Sequence, residues 1–336
     1  MACGQGAGKP WGWIGLGCGV MDAPGVMEDP LGQFRGELRA QCYRMLGSSH
    51  DAEDVLQEVS LRAWRGRPAF DGRSSLRTWL HRIAVNACLN DLERKERRVL
   101  PMELERAGEP HAALGEPLGE VMWLEPFLDD PEQSAVDGER VELAFVAAVQ
   151  HLPPNQRAAL IMFDVLGFSA GEIADAMNTT ATSVNSAVQR ARKLVSERVP
   201  QPSQQATLAA LGDDGQRNLV ESYTQALQQH DITGLLAVLT EDATWSMPPI
   251  PTWFQGHEAI AAFLVEGPFR FRWRTQAARA NGQLAVACYW WDDSLAAFVA
   301  YALNVLDVRG DRISSIVSFI DGERFAAFGL PTRLFG

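Results

Sequence analysis

Residues 152–195 read LPPNQRAALIMFDVLGFSAGEIADAMNTTATSVNSAVQRARKLV, and the spacing within them decides how the chain on either side is read. Pro153 and Pro154 suit the entry of a helix, where no intrahelical N–H is needed. Leu160, Ile161 and Val165 give that helix an apolar stripe, and Gly167 breaks it. Ser169 and Glu172 make a capping box, in which hydroxyl and carboxylate each satisfy a free backbone donor. Ile173, Ala174 and Met177 then share one face of a short helix. Asn178, Thr179 and Thr180 form a turn, with Thr180 the N-cap of a third helix. In that helix Val184, Ala187, Val188 and Ala191 recur at helical spacing and face inward. Thr182, Ser183, Asn185, Ser186, Gln189 and Arg190 face outward. Such side chains reach base edges and phosphates, and such a helix fits a major groove. The stretch reads as a helix-turn-helix; the bland account of the same pattern is a solvated hairpin in a larger helical domain.

A chain of 336 residues implies two or three domains. Its composition is that of a globular protein, and no apolar run is long enough to span a bilayer. The first residues lack the charged region and apolar core of a signal peptide. Residues 1–27, with Met21 and Met27 as alternative starts, are expected to be a disordered or non-native extension. The five cysteines (Cys3, Cys18, Cys42, Cys88, Cys288) are scattered, odd in number and without metal-site spacing. That suits a reducing cytoplasm, with no metal and no cofactor expected.

The net charge of −12 argues against indiscriminate nucleic-acid binding, but its distribution is uneven. Residues 28–98 carry +2 and residues 140–200 carry +1, whereas residues 99–139 carry −10. The candidate DNA readers are mildly basic, and an acidic segment tethered between them can compete with phosphate in cis.

Upstream, residues 31–64 have helical periodicity. Ser48 with Asp51 can cap a second helix, in which Val55, Leu56, Val59 and Ala63 face inward. Asp51, Asp54, Gln57, Glu58 and Leu61 lie largely elsewhere, as a docking face or a merely solvated one. In residues 70–98, Ser74 or Ser75 caps a helix containing Leu76, Trp79, Leu80, Ile83 and Ala84. Its polar positions and Arg-rich end can reach bases and neutralise phosphate. Trp79 is expected in the core, and His81 and Arg82, among the polar positions, read either as DNA-facing or as plain surface residues.

Three blocks stand in the order of an extracytoplasmic-function sigma factor of the sigma-70 family, which the chain therefore resembles. They are DAEDVLQEVSLRAW, FDGRSSLRTWLHRIAVNACLNDLERKERR and the helix-turn-helix above. The resemblance implies that residues 28–98 bind core RNA polymerase and the promoter −10 element, and that residues 140–199 read the −35 element. It implies docking on the β′ clamp helices through Asp51, Asp54, Gln57, Glu58 and Leu61. Capture of the −10 strand would fall to Arg73, Ser74, Ser75, Arg77, Thr78, Arg82, Asn86, Asn90, Arg94 and Lys95. The −35 contacts would be Thr182, Ser183, Asn185, Ser186, Gln189, Arg190 and Lys193.

Residues 99–139 read as an acidic linker whose prolines prevent long helices. Within it Trp123 to Asp130, WLEPFLDD, reads either as a docking segment or as a spacer. Residues 200–215 read as a second linker. Residues 216–330 show helices followed by strand-like runs at 269–279, 284–291, 296–308 and 312–320, which implies an α+β domain. YTQALQQHDITGLLAVLTEDATWSMPP and FQGHEAIAAFL resemble the SnoaL-like group of nuclear-transport-factor-2-like domains, which implies a conical barrel around a pocket. Trp245, Trp253, His257, Trp273 and Tyr289, with Met247 and Trp291, are its candidate lining.

The expected architecture is therefore two all-α domains followed by an α+β domain, and the expected function is a cytoplasmic sigma factor regulated in cis by its C-terminal domain. Phe325 and Phe328, in the segment Asp321–Pro331, are a candidate contact. No membrane partner and no enzymatic activity are expected, while the pocket admits a small-molecule ligand. The alternative is that the C-terminal domain is an enzyme or small-molecule sensor fused to a DNA-binding module, with Asp231, Asp242 and His257 as candidate bases.

Overall fold

The computed structural model describes residues 31–119, 122–127 and 141–335. The N-terminal extension lies outside the described residues, as does the part of WLEPFLDD after Phe127.

The first helical region packs α1 (Arg35–Leu46), α2 (Ser49–Gly66) and α3 (Leu76–Leu92) around Leu38, Leu56, Val59, Leu80 and Ala84. Local chemistry sets the helix ends. Gly47 closes α1 at φ 68°, a conformation open to glycine because it has no Cβ. Ser48 caps α2 by accepting from Asp51 N at 3.0 Å, and Ser75 caps α3 by accepting from Thr78 N at 3.0 Å.

The second helical region comprises α4 (Leu143–Gln150), α5 (Pro154–Leu160), α6 (Ala170–Ala176) and α7 (Ala181–Ser196). A π-helical turn over Ile161–Val165 extends α5, and Gly167 follows it at φ 72°. The capping box forms as its residue types dictate: Ser169 Oγ accepts from Glu172 N at 3.3 Å, and Glu172 Oε2 accepts from Ser169 N at 2.9 Å. Thr180 caps α7, whose Val184, Val188 and Ala191 are buried.

The C-terminal region opens on a long helix. Ser203 caps α8 (Gln204–Gln229), so most of the expected linker is helix, and Gly212 kinks it at φ 69°. Then come α9 (Ile232–Ala237), β1 (Leu239–Met247), β2 (Ile250–Gln255), α10 (Gly256–Glu266), β3 (Trp273–Ala280), β4 (Gln283–Asp292), β5 (Ala297–Arg309) and β6 (Arg312–Ile320). A 3-10 helix (Gly322–Phe328) and a short β7 (Arg333–Leu334) follow. The sheet order is β2-β1-β6-β5-β4-β3, with β7 pairing β5; β1 and β6 run parallel and the other pairs antiparallel.

Alternation along the strands gives the sheet two different faces. Leu284, Val286 and Cys288 of β4 face a core shared with α8, α9 and α10. Ala285, Ala287 and Tyr289 belong to a second core that is continuous with both helical regions. The three parts of the chain are thus joined through one connected set of buried side chains.

Candidate promoter and polymerase interface

On α2 the side chains of Asp54, Gln57 and Leu61 are exposed along one face, with Glu58 beside them and paired to Arg62 at 2.7 Å. Trp64 extends this stripe and is 56% exposed. The sequence reading gave Trp64 no role, although its spacing from Gln57 and Leu61 continues their face. Asp51 does not join them. It is buried, with its carboxylate 2.9 Å from Lys95 Nζ and 2.5 Å from Arg98 Nη2. Burial pushes that carboxyl up, but the hydrogen bonds and charges of Lys95 and Arg98 prevail and hold it below the ordinary carboxylate range. Lys95 is occupied in the same cluster, also reaching Asp91 at 2.9 Å. Asp51 is thus enclosed between two cations, and the half-buried Lys95 is shared between two carboxylates.

The start of α3 is covered by the second helical region. Arg77 donates to Glu37 through Nε (3.0 Å) and to Leu166 O through Nη2 (3.0 Å), and its guanidinium lies over the Phe168 ring at 4.7 Å. Thr78 Oγ1 donates to Glu172 Oε1 at 3.4 Å, and Asn86 Nδ2 donates to Ala176 O at 3.4 Å. His81, expected at the surface, is fully buried, with Nε2 3.2 Å from Glu37 Oε2 and its ring edge against Phe168. Burial raises the Glu37 carboxyl, but His81 and Arg77 outweigh that and draw it down to about 2. Arg73, Ser74, Ser75, Arg82, Asn90 and Arg94 remain exposed, as does the edge of Asn86.

The outer face of α7 is open. Thr182, Ser183, Asn185, Gln189, Arg190 and Lys193 are exposed and Ser186 is half-buried. At its edge the exposed Arg192 ties it to the π-helical turn by pairing with Asp164. The whole unit is tied to α1 by buried Arg157. That guanidinium donates to Met45 O, to Gln150 Oε1 at 2.7 Å and to Gln150 O at 2.9 Å. Burial lowers Arg157 to about 10. The outer face of α7 is therefore open, whereas the start of α3 is covered.

The linker docks rather than hanging loose. Val99 N donates to Met122 O (3.0 Å) and Leu124 N to Val99 O (2.9 Å), so Leu124 and Phe127 become buried. Glu125 sits at the junction of all three parts. It accepts from Ser48 Oγ at 2.7 Å and pairs with Arg98 at 3.4 Å and with Arg324 at 2.6 Å. Desolvation raises this carboxyl, and Arg324, Arg98 and Ser48 hold it below its ordinary range nonetheless. Phe127 stacks on Tyr43 with ring centroids 4.7 Å apart, under the Arg39 guanidinium.

The C-terminal domain closes over this segment with the Asn281-Gly282 turn between β3 and β4. Both residues have positive φ, the requirement of a two-residue hairpin turn that twists with its strands. Asn281 is fully buried. Its Oδ1 accepts from Phe127 N (3.0 Å), and its Nδ2 donates to the Tyr43 hydroxyl (2.8 Å) and to Val141 O (2.8 Å). Its own N–H donates to Phe127 O at 2.7 Å. Gln283 follows, accepting from Leu143 N at 2.7 Å. Phe325 is buried, packed edge-on to Tyr289 of its own domain, so Arg324 rather than Phe325 reaches the linker from the C-terminal segment.

A cavity of about 130 Å³ lies on the other face of the sheet, lined by Trp245, Met247, Phe263, Trp273, Trp290 and Asn304 among others. Trp253, His257, Tyr289 and Trp291, expected in the pocket, lie outside it. The Trp253 indole donates to Glu105 O on the linker, His257 Nε2 is 3.1 Å from Thr240 O, and Tyr289 is on the opposite strand face. The candidate bases are also elsewhere. Asp231 caps α9, and Asp242 is exposed and paired with Arg309. Asp, Glu, His, Lys and Arg are all missing from the described lining.

Comparison with known proteins agrees with this architecture. A family model described as Sigma-70 region 2 matches residues 31–98, Sigma-70 region 4 matches 142–195, and a SnoaL-like domain matches 220–316. The ECF RNA polymerase sigma factor SigG of Mycobacterium tuberculosis is 43% identical over 311 residues, covering 90% of this chain and 83% of that one. The ECF RNA polymerase sigma-E factor of Escherichia coli is 30% identical over 151 residues, covering 45% of this chain and 75% of that one. The crystal structure of the sigma factor SigJ of Mycobacterium tuberculosis shares the fold, with a TM-score of 0.59 at 20% identity over 89% of this chain and 98% of that one. With two sigma-70 regions packed against one another and a strand-rich third unit behind them, the chain belongs to the extracytoplasmic-function sigma factors of the sigma-70 family and carries a SnoaL-like domain.

Proposed function

We propose that this sigma factor is held closed by its own C-terminal domain, and that polymerase docking and promoter reading require that closure to be released. The observation that carries this reading is Asn281. A residue of the C-terminal domain satisfies backbone or hydroxyl groups of α1, the linker and the start of the second helical region at once. Groups so buried are expensive to leave unpaired, so the turn acts as a latch rather than as an incidental contact.

In the open state, Asp54, Gln57, Glu58 and Leu61 dock on the β′ clamp helices of core polymerase, with Trp64 added to the contact. Asp51 and Lys95 are freed for that face and for DNA only when their cluster with Arg98 opens. The exposed Arg73, Ser74, Ser75, Arg82, Asn90 and Arg94, joined by Arg77, Thr78 and Asn86 once region 4 departs, capture the −10 strand. Unstacking a base costs a few kcal/mol, and binding the extruded base offsets it. Thr182, Ser183, Asn185, Ser186, Gln189, Arg190 and Lys193 read the −35 duplex. The site of action is the cytoplasm, where core polymerase is. The C-terminal domain works as a binding module that takes a small molecule, not as an enzyme; a lining without acid–base pairs supports this. The test is co-purification with core polymerase. Asp54→Arg with Glu58→Arg removes core binding while leaving the fold intact, and retained binding would place the docking face elsewhere.

A further inference from the structure

The linker does more than join the two helical regions. Its first half lies as a strap across the C-terminal domain. Gly108 N donates to Trp253 O at 2.7 Å, Gly115 N to Thr252 Oγ1 at 2.9 Å and Leu118 N to Pro249 O at 3.0 Å. His111 Nδ1 lies 2.5 Å from Glu266 Oε1. The strap therefore runs beside β2 and the end of α10, and its Leu114 is part of the wall of the cavity described above. Leu114 is itself 45% exposed, so the strap lays it against the cavity without burying it.

The cavity is built for one kind of molecule. Trp245, Phe263, Trp273 and Trp290 make its wall aromatic, and a cavity of this size has room for about one benzene-sized ring. Without charged side chains in the described lining, it has nothing to pair with an ionic ligand. Its lining carries the hydroxyls of Tyr301 and Ser318 and the Asn304 amide; Ser318 Oγ already accepts from Trp245 Nε1 at 2.9 Å, and the buried polar atom without a partner belongs to Asn304. Asn304 is 3% exposed, its Nδ2 donates to the Tyr223 hydroxyl at 2.8 Å and lies 3.4 Å from Cys288 Sγ, and its Oδ1 is buried without a partner. Exchanging the two ends of the amide would leave an N–H instead, and a hydroxyl satisfies either.

We propose that this cavity binds a small neutral phenol, its hydroxyl on Asn304 and its substituent at the mouth, and that Leu114 of the linker is the lid the substituent displaces. Strap docking and ligand binding then compete for one opening. A ligand with such a differential effect shifts the strap toward release. The proposal rests on the reading of the C-terminal domain as a binding module that controls the helical regions. It assigns that module a ligand class and a route to the linker.

The test uses the full chain with 4-ethylphenol and ethylbenzene as probes, followed by quenching of tryptophan fluorescence. The expected result is saturable binding, with 4-ethylphenol about tenfold or more tighter than ethylbenzene, since only the phenol pairs with Asn304. Leu114→Ala, at a half-exposed position that leaves the fold intact, tightens 4-ethylphenol several-fold. Arg106 is the one Lys or Arg in residues 99–139 and is exposed, so tryptic cleavage after it reports the strap. Saturating 4-ethylphenol should accelerate that cleavage several-fold. Asn304→Leu should equalise the two probes; where it fails to fold, the comparison of the two probes on the unaltered chain decides. No saturable quenching, equal affinity for both probes, or unchanged cleavage at Arg106 under saturation would overturn the proposal. None of these measurements involves polymerase, so their failure leaves control through Asn281 standing, and failure of that control leaves the binding result standing.

Discussion

Replacing Asn281 by Ala removes three side-chain hydrogen bonds, to Phe127 N, the Tyr43 hydroxyl and Val141 O, all at 2.8–3.0 Å. Each such bond is worth about 1 kcal/mol net, and more where its partner stays buried. The residue also sits at φ 58°, where Asn is tolerated and Ala is strained by about 1 kcal/mol. Water can reach the freed groups once the domains part, which caps the loss, so closure should weaken by about 3 kcal/mol. That moves the ratio of open to closed forms about a hundredfold. Binding of core polymerase, which needs the open form, should tighten by between about ten- and a hundredfold, read as a Kd by anisotropy with a label on the sigma factor. Asn281→Gly separates latch from strain, because glycine keeps the turn and loses the bonds; its effect should be nearly as large. Unchanged core affinity in both variants, with circular dichroism showing the chain folded, would refute the latch.

Other perturbations follow the same geometry. Arg324→Ala should raise core affinity only about fivefold, because Glu125 keeps Arg98 and Ser48, and a half-exposed pair is worth about 1 kcal/mol. Burial raises the Asp307 carboxyl to about 6, against a weaker opposing hydrogen bond from Gln283. Its favourable share of stability is therefore complete below about pH 4 and is lost as pH rises through about 6. Asp307→Asn should accordingly be more stable than the parent above pH 6 by at most about 3 kcal/mol, less what partial solvent exposure screens, with the gap closing below pH 4 in urea melts. Arg190→Ala should weaken promoter binding at the −35 position by about 1–3 kcal/mol and leave core binding unchanged, as measured by gel shift with holoenzyme.

Much of the local structure was legible because local chemistry determines it. Ser48, Ser75, Ser169 with Glu172, and Thr180 cap the helices their positions announce, and Val184, Val188 and Ala191 turn inward at helical spacing. The strand runs at 284–291 and 296–308 coincide closely with β4 and β5. What was not legible depends on distant partners. Residues 200–215 read as a linker, but packing of Leu208 and Leu219 on the sheet carries a helix through the kink at Gly212. The run of strands read from the sequence starts at 269, yet β1 and β2 precede it, and β2 gives the linker an edge to lie on. Tyr289 was assigned to the pocket from its residue type, whereas strand parity sends Cys288 and Trp290 there and Tyr289 to the other face. His81 and Asp51 looked like solvated polar residues because their partners, Glu37, Lys95 and Arg98, are far off in sequence. Asn281 had no sequence signal beyond a turn. Its role comes entirely from the backbone of Phe127 and Val141, which only the folded chain brings to it.

Transcription from a single promoter by core polymerase, comparing the full chain with a folded chain ending at Gln201 at equal concentration, tests cis control most directly. Release of the latch predicts at least about tenfold more transcript from the shortened chain at subsaturating sigma factor. Equal transcript from the two would contradict it.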